Sequence, residues 1–380
     1  MTVPSKLAKL LETNCKQYFQ IASDISASLQ TKKLTFVSGN ESADLDSCAT
    51  SIVYAYFLQH KHRERCVVPF FNIPRNELRL RPELVCLLDM LKIRTDNVLF
   101  LNDIAAAPER LSSSPIHLVD HNTLDREEVG KFKKTVEGII DHHKDEGNYL
   151  NANPRIVKEC GSCSTLVIQY YMDILSTLYN TEATRMEAEA ISVLALGPIL
   201  IDTGNLKNEK TTETDVEVAN QLFKFVPSGW NRDEFFGCLK EKKGTYKGFS
   251  FMDLLHRDLK QYAPGNVSIS YPSIGKGIDW IEEKRSNWQQ ELKDFAEKKQ
   301  VDLVIVGLSL SKKEEFRRQM ILYKRTKQGE SFADKFLEKN KNSLGLEFLK
   351  NVEDNTINVF NQRNSAASRK KVVPMIMDSI

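Results

Sequence analysis

The chain has 380 residues, of which 41% are hydrophobic and 27% charged, and a formal net charge of +2. This is the composition of a soluble globular protein long enough for two domains. No apolar stretch is long enough to cross a bilayer and the first residues lack a secretory signal, so we expect a cytoplasmic monomer with neither nucleic acid nor membrane as a partner.

The first two-thirds of the chain alternates between strand and helix patterns. Short apolar strands are predicted at 34–38, 67–73, 98–103, 116–120 and 136–141, with an edge strand at 154–159. Helices are predicted at 46–60, after Ser162 or Ser164, and over 187–202. This alternation predicts an α/β fold whose parallel sheet is covered on both faces.

Cys160 and Cys163 form a C-x-x-C motif after the edge strand. A zinc site is not expected, because no second cysteine pair follows. The seven cysteines are odd in number, and their spacing shows no disulfide framework. We therefore expect reduced thiols, as in a cytosolic protein.

The pattern loosens over 244–250, where two glycines and several polar residues predict an interdomain linker. The predicted domains are therefore residues 1–243 and 251–380. The second is predicted to be a smaller mixed α/β unit, with a helix near 251–260, strands at 267–271, 301–308 and 318–323, and a long charged helix at 279–298. It closes with a basic run at 369–371, which Val372 and Val373 would anchor as a strand.

Charge is distributed unevenly between the two parts. Residues 251–380 carry 23 Lys and Arg against 18 Asp and Glu, whereas the first 250 residues carry 30 against 33. A more acidic first part suits cation binding, and a more basic second part suits anion binding. The alternative is that most of these charges are ordinary solvated surface.

Aspartates and histidines stand at the ends of four apolar stretches in the first domain. They are Asp44 and Asp46 after the first strand, Asp120 at the end of H-L-V-D, His142 and His143 after G-I-I-D, and Asp202 at the end of G-P-I-L-I-D. The carboxyl ends of parallel strands meet at one edge of a sheet, where ligands bind. Clustered carboxylates repel one another unless cations lie between them, so the pattern predicts a metal site.

These motifs resemble those of the DHH phosphoesterase superfamily: D-x-D, a later aspartate, D-H-H and a final aspartate, in that order. The C-terminal S-R-K-K-V-V-P is similar to the second-domain signature of family II inorganic pyrophosphatases, prune proteins and fungal exopolyphosphatases. The spelling G-N-E-S-A-D-L-D-S, with Asn40 where the pyrophosphatases carry histidine, is most similar to the fungal cytosolic exopolyphosphatases. So are N-I-P-R and P-R-I-V-K. The resemblance extends over nearly the whole chain.

The resemblance implies two divalent cations, Mg²⁺ or Mn²⁺, in a first domain of the DHH type. One would be held by Asp44 and Asp120, with Asn40 in the place of a third ligand. The other would be held by Asp46, Asp120, His142 and Asp202, so that Asp120 bridges the pair.

The resemblance also implies which residues bind phosphate. His143 would face the phosphate and donate a hydrogen bond or a proton, and with Asp120 it would be catalytic. In the second domain, of the DHHA2 type, Lys260, Arg369 and Lys370 would hold phosphate. Lys207 is a looser candidate in the first domain.

Several of these residues also have a simpler interpretation. Asp44 and Asp46 would cap the helix that follows them, since carboxylates suit helix N-termini. Ser162 and Ser164 would be ordinary caps or would help a helix N-terminus meet an anion. Lys260 would be solvated. For His121, support of the ligands, phosphate contact and a plain turn all remain open.

The activity that the resemblance implies is hydrolysis of the terminal phosphoanhydride bond of inorganic polyphosphate, with release of orthophosphate, in the cleft between the two domains. Metal ions would activate the attacking water, while basic side chains neutralise the phosphate oxygens. The alternatives are an inorganic pyrophosphatase, against which Asn40 argues, and a prune-like phosphodiesterase. A scaffold without activity is disfavoured because every expected ligand is present.

Overall fold

The computed structural model describes residues 9, 12–13, 33–105, 114–124, 127–130, 132–312, 315–352 and 356–379. The first residues, where a signal peptide is not expected, lie largely outside these ranges. Within them, no helix combines the length and the apolar character that a membrane span requires. The chain divides into two compact units, Met1–Thr245 and Tyr246–Ile380.

The first unit is built on a six-stranded sheet. Its strands are β1 (Lys33–Ser38), β2 (Arg65–Phe71), β3 (Leu99–Phe100), β4 (Ile116–Val119), β5 (Val136–Asp141) and β6 (Arg155–Val157), in the order β3-β2-β1-β4-β5-β6. Each adjacent pair is parallel. The central strands are buried along nearly their whole length, as a sheet covered on both faces requires. The predicted parallel sheet is confirmed.

Helices pack on this sheet around two cores. The described α-helices are α1 (Leu45–Lys61), α2 (Pro82–Met90), α3 (Leu101–Ala105), α4 (Glu127–Gly130), α5 (Cys163–Asn180), α6 (Arg185–Asp202), α7 (Glu213–Leu222) and α8 (Arg232–Lys243), with 3-10 turns at Arg75–Leu80, Thr95–Asn97 and Glu182–Thr184. Successive β1 residues point to opposite faces, so Val37 lies in the larger core with α1, α5 and α6. Phe36 lies in the smaller core with Phe70 and Phe132. Burying each such phenylalanine contributes about 2 kcal/mol.

The strand order reverses between β1 and β4. The chain runs outward from β1 to β3 on one side and from β4 to β6 on the other. The connections that leave β1 and β4 therefore diverge and open a crevice at the carboxyl ends of the strands, where open α/β sheets bind ligands. The loop after β1 carries Asn40 and Asp44, and Asp120 directly follows β4.

The second unit is built on a mixed six-stranded sheet, which confirms the predicted mixed α/β architecture. Its strands are β7 (Leu259–Tyr262), β8 (Ile269–Ile274), β9 (Leu303–Lys312), β10 (Glu315–Lys324), β11 (Leu346–Val352) and β12 (Ile357–Gln362), in the order β11-β12-β10-β9-β8-β7. Only the β8–β9 pair is parallel among these described strands. The helices are α9 (Phe251–Arg257), α10 (Ile278–Lys284), α11 (Trp288–Lys299), α12 (Lys327–Leu344) and α13 (Arg369–Met377).

Two predicted elements of the chain are shorter or broken. The strand predicted at 98–103 ends at Phe100, because the Asp103 carboxylate accepts a hydrogen bond from the Phe100 N–H at 2.9 Å and starts α3 instead. The helix predicted at 279–298 is two helices, α10 and α11. The second begins at Trp288, which is buried edge-on against Phe251.

Two other differences change the setting of the predicted phosphate ligands. The helix predicted near 251–260 ends at Arg257, so Lys260 lies on strand β7, opposite Tyr271 of β8. The predicted strand at Val372 and Val373 is wrong, because these residues belong to α13. Val372 and Ile376 are both buried and lie four residues apart, which is the spacing of one helix face.

Candidate metal centre

Asp120 is the centre of the candidate site. It is 2% exposed and has a φ of 62°, a left-handed backbone that is uncommon for a residue with a side chain. Its own N–H donates to the Ile140 carbonyl of the neighbouring strand at 3.1 Å, which fixes the turn at the end of β4. The carboxylate is thereby aimed from the sheet edge toward α1 and the D-H-H segment.

Four side chains surround the Asp120 carboxylate. One oxygen lies 3.2 Å from His142 Nε2 and 3.5 Å from His143 Nδ1. The other accepts hydrogen bonds from Ser47 Oγ at 2.5 Å and Asn40 Nδ2 at 2.7 Å. Burial alone would raise the pKa of Asp120, but the hydrogen bond from His142 and the charge of His143 outweigh it and hold that pKa well below its usual range. Asp120 is therefore an anion at neutral pH.

The two histidines are held from behind by different partners. His142 Nδ1 lies 2.9 Å from the Cys160 carbonyl oxygen. We assign Nδ1–H as the donor of this hydrogen bond, so Nε2 is the atom that faces Asp120. A ring nitrogen bonded to a backbone carbonyl is typical of a metal-ligating histidine. His143 Nδ1 lies 2.8 Å from Asp141 Oδ1, and its ring is 26% exposed, against 8% for His142. His143 is therefore the more accessible of the two.

Asp46 lies in the first turn of α1 and is satisfied by the N-terminus of α5. Its oxygens accept hydrogen bonds from Ser162 Oγ at 3.0 Å, Cys163 N at 2.7 Å and Ser164 N at 3.1 Å. Even so, burial first, and then the charges of Asp120 and Asp202, raise its pKa well above the usual value. Ser162 is thus both the cap of α5 and a donor to Asp46.

Asp44 and Asp202 complete the acidic cluster. Asp44 caps α1 by accepting a hydrogen bond from the Ser47 N–H at 3.0 Å. Burial and the charges of Asp120 and Asp202 raise its pKa to about 6. Asp202 ends α6, with Lys243 Nζ 3.9 Å away. A buried carboxyl whose pKa is raised by neighbouring negative charges in this way is relieved when a cation binds beside it.

The donor atoms suit a hard divalent cation. Among the described residues, ligand atoms of Asp120, His142 and His143 all lie within 4.8 Å of one another. Carboxylate oxygens are ligands of both Mg²⁺ and Mn²⁺, and an added imidazole suits the transition metal Mn²⁺ better than Mg²⁺. The carboxylates of Asp44, Asp46 and Asp202 interact electrostatically with Asp120 or with one another. The residues present therefore fit the cations that the sequence predicts.

Asn40 presents its amide differently from a ligand. Its Nδ2 donates to Asp120, while its Oδ1 accepts hydrogen bonds from Ser42 N at 2.9 Å and Ser42 Oγ at 2.6 Å. In this arrangement Asn40 orients Asp120. Its predicted place as a third ligand stays a prediction, which requires the amide oxygen to turn from Ser42 toward the cation.

The predicted phosphate-binding residues lie in several surroundings. Lys207 is exposed in the turn after α6 and Lys370 is exposed at the start of α13. Lys260 is half-buried on β7. Arg369 donates to Asp258 Oδ1 at 2.6 Å and to the carbonyls of Asp258 and Tyr271 at 2.9 and 3.0 Å. These bonds use three of its five N–H groups and fix the direction of the guanidinium.

Three features of the site have little or no signal in the sequence. Asp141 is fully buried. One of its oxygens holds His143 Nδ1, and the other accepts a hydrogen bond from Asn122 Nδ2 at 2.6 Å. Ser47 and the Cys160 carbonyl were also not predicted. Asp141 could have been found as the aspartate of the D-H-H motif, whereas no sequence pattern points to a backbone carbonyl. His121, left open above, has Nδ1 2.9 Å from the Val119 carbonyl.

Comparison with known proteins matches both units. The family described as "DHH family, N-terminal domain" matches residues 35–197, and the DHHA2 domain matches residues 238–379. A Schizosaccharomyces pombe protein named "Putative exopolyphosphatase" is 57% identical over 377 residues, which is 99% of this chain and 98% of that protein. The human "Exopolyphosphatase PRUNE1" is 25% identical over 357 residues, 92% of this chain and 76% of that protein.

A solved structure shares the fold. It is described as a Methanococcus jannaschii "putative family II inorganic pyrophosphatase", and it matches with a TM-score of 0.61 at 21% identity. The match covers 91% of this chain and 99% of that one. At this identity the likeness concerns the fold alone.

Proposed function

The chain belongs to the DHH family and is a hydrolase, and we propose that it is an exopolyphosphatase, which cleaves the terminal phosphoanhydride bond of inorganic polyphosphate and releases orthophosphate. The observation that carries the proposal is the cluster around Asp120: buried carboxylates and two histidines at the switch point of a parallel sheet. The choice of substrate is supported by the name of the S. pombe relative, which is 57% identical over nearly its whole length.

We assign the cluster to two divalent cations, Mg²⁺ or Mn²⁺. Asp44, Asp120 and Asn40 would hold one, and Asp46, Asp120, His142 and Asp202 the other. Bound cations would supply Lewis acidity, lowering the pKa of a water and neutralising charge on the phosphate. Ser47 orients the Asp120 carboxylate, and the Cys160 carbonyl keeps His142 Nε2 facing the site. For Asn40 to be a ligand, its amide oxygen would turn from Ser42 toward the cation.

His143 is the residue we assign to proton transfer. The attacking water gives up one proton to the solvent as its oxygen forms a bond to the terminal phosphorus, and the bond from that phosphorus to the bridging oxygen breaks. The departing chain end carries negative charge, which a hydrogen bond or proton from His143 stabilises. Asp141 fixes the orientation of this ring through Nδ1, at 2.8 Å. The ring is partly exposed, so a substrate can reach it.

The second unit would supply cationic contacts to phosphate. We assign Lys260, Arg369 and Lys370 to this role, with Lys207 of the first unit as a further contact. The proposed domains are residues 1–243 and 251–380, joined by a linker at 244–250. Two N–H groups of Arg369 remain beyond its bonds to Asp258 and Tyr271, and a planar fork of this kind suits phosphate oxygens.

A cytoplasmic location is part of the proposal. The six described cysteines, Cys48, Cys66, Cys86, Cys160, Cys163 and Cys238, are free thiols. A reducing compartment preserves thiols in this form.

Phosphate release from four substrates tests the proposed activity. Long-chain polyphosphate, tripolyphosphate, pyrophosphate and a cyclic nucleotide are each supplied with Mg²⁺, and kcat/KM is compared. We expect the two polyphosphates to be the best substrates. A preference for pyrophosphate would make the protein a pyrophosphatase, and a preference for the cyclic nucleotide would make it a phosphodiesterase. A His143→Ala variant serves as the matched control against a contaminating phosphatase.

A further inference from the structure

A buried carboxylate outside the ligand set, Asp215, accepts an unusual number of hydrogen bonds. It lies in the first turn of α7 and is fully buried. Its donors are Thr212 N at 2.8 Å, Thr212 Oγ1 at 2.7 Å, Thr165 Oγ1 at 2.6 Å, Gly161 N at 2.9 Å and Cys160 Sγ at 3.2 Å. Both contacts with Thr212 lie at the N-terminus of α7, and the one from the Thr212 N–H is half of the capping box of that helix. The other three reach a different segment of the chain.

These three donors lie in residues 160–165. Within this stretch, segment 160–164 holds two candidate ligands from behind. At one end, the Cys160 carbonyl lies 2.9 Å from His142 Nδ1. At the other, Ser162, Cys163 and Ser164 donate to Asp46. A displacement of this segment would therefore move His142 and Asp46 together, without any change in their own side chains.

The contact between Asp215 and this segment is close. A Cβ atom placed on Gly161 would lie 2.6 Å from Asp215 Oδ2 and 2.7 Å from Thr203 Cγ2. Only a glycine at this position lets the carboxylate reach the Gly161 N–H. Thr203, which directly follows the candidate ligand Asp202, therefore also lies close to Gly161.

We propose that Asp215 is a positioning residue of the metal centre: it anchors segment 160–164 and so holds His142 and Asp46 in place for a divalent cation. This inference rests on the proposed function. All five partners of Asp215 are donors, so Asp215→Asn would turn an amide N–H₂ toward at least one donor and release part of the anchor. Mutation of a residue that hydrogen-bonds to a metal ligand typically weakens metal binding about 10- to 100-fold. Asp215 acts through one further residue, so we expect Asp215→Asn to bind Mn²⁺ about tenfold more weakly.

Isothermal titration of the full-length, chelator-treated protein with Mn²⁺ alone tests the proposal. Thr212→Ala is the matched control. It removes the other side chain of the same capping box, with its bond to Asp215 and its long 3.5 Å contact to Cys160 Sγ, and it leaves the three bonds of Asp215 to 160–165 in place. We expect both variants to unfold at a lower temperature than wild type and only Asp215→Asn to bind Mn²⁺ more weakly. Wild-type affinity in Asp215→Asn, or an equal loss in Thr212→Ala, would overturn the proposal.

The outcome also separates this proposal from the function on which it rests. A wild-type protein that binds no Mn²⁺ refutes the metal-dependent function itself. Should Asp215→Asn not fold, Thr165→Val replaces it: this substitution removes the 2.6 Å donor on α5 and keeps the carboxylate. We expect weaker Mn²⁺ binding in that variant, and unchanged affinity would overturn the positioning role.

Discussion

Removing one negative charge from the cluster should stabilise the metal-free protein. In Asp44→Asn, the amide oxygen can still accept the hydrogen bond from the Ser47 N–H, and asparagine caps helices as well as aspartate does. The substitution therefore removes the charge and keeps the cap. That charge is costly because burial, Asp120 and Asp202 raise the pKa of Asp44 to about 6.

The size of the effect follows from the pKa. The carboxyl has an ordinary pKa of 3.8 and a pKa of about 6 in the folded protein. At about 1.4 kcal/mol for each pKa unit, the ionised form costs about 3 kcal/mol of folding free energy. Because folding favours the protonated form, protonated Asp44 stabilises the fold relative to the ionised form. This contribution is fully present below pH 3.8 and is lost as the pH rises through about 6. With roughly 2–4 °C for each kcal/mol, Asp44→Asn should unfold about 6–12 °C above wild type at pH 7.

Calorimetric unfolding of chelator-treated protein at pH 4.5 and pH 7 measures this difference. We expect it to be much smaller at pH 4.5, and we expect Mg²⁺ to stabilise wild type more than the variant at pH 7. Asp173→Asn, which removes an exposed carboxylate on α5, is the control and should change little. The reasoning is refuted if, without cation, Asp44→Asn unfolds at or below the wild-type temperature at pH 7.

Three further predictions concern activity. Asp120→Ala should lower turnover by at least about a thousandfold, because both cations depend on this carboxylate; a folded variant with a tenth of wild-type phosphate release would remove Asp120 from the mechanism. Asn40→His replaces an amide with an imidazole and should shift the metal preference from Mg²⁺ toward Mn²⁺ or Co²⁺; identical relative rates with these metals would contradict the ligand assignment. Arg369→Ala should slow the hydrolysis of long polyphosphate and of tripolyphosphate alike, whereas raised ionic strength should increase KM mainly for the long chain. Full turnover of tripolyphosphate by Arg369→Ala, with Lys371→Ala as the control, would place Arg369 outside the active site.

The sequence could predict the position of the ligands because strand ends are visible in it. Asp120 and the D-H-H segment follow apolar runs, and parallel strands bring such ends to one edge. The shape of the site was less visible. The orientation of His142 depends on the Cys160 carbonyl, and every residue has a carbonyl. The role of Asn40 depends on which amide atom faces Asp120, which its position in the chain does not specify.

In the second unit, too, some elements are visible in the sequence and others are not. Strand β9 contains a long apolar run and was predicted. Strand β11 was not, because polar residues at 347, 350 and 351 interrupt its apolar ones. Helix α12 could have been recognised from Phe332, Ala333 and Phe336, which share a buried face at helical spacing. Val372 and Val373 favoured a strand because β-branched residues suit strands. Packing of Val372 with Ile376 overrides that preference.

The donors that satisfy Asp46 have a consequence for the order of folding. Ser162, Cys163 and Ser164 lie 116 to 118 residues beyond it in the chain. Contacts so distant in sequence form late, because a long loop must close first. During synthesis, helix α1 and the strands beside it emerge well before α5, and the charge of Asp46 can stay in water until α5 docks. A nascent chain that ends before Ser162 therefore contains Asp44, Asp46, Asp120 and both histidines of the site without the segment that allows Asp46 to be buried.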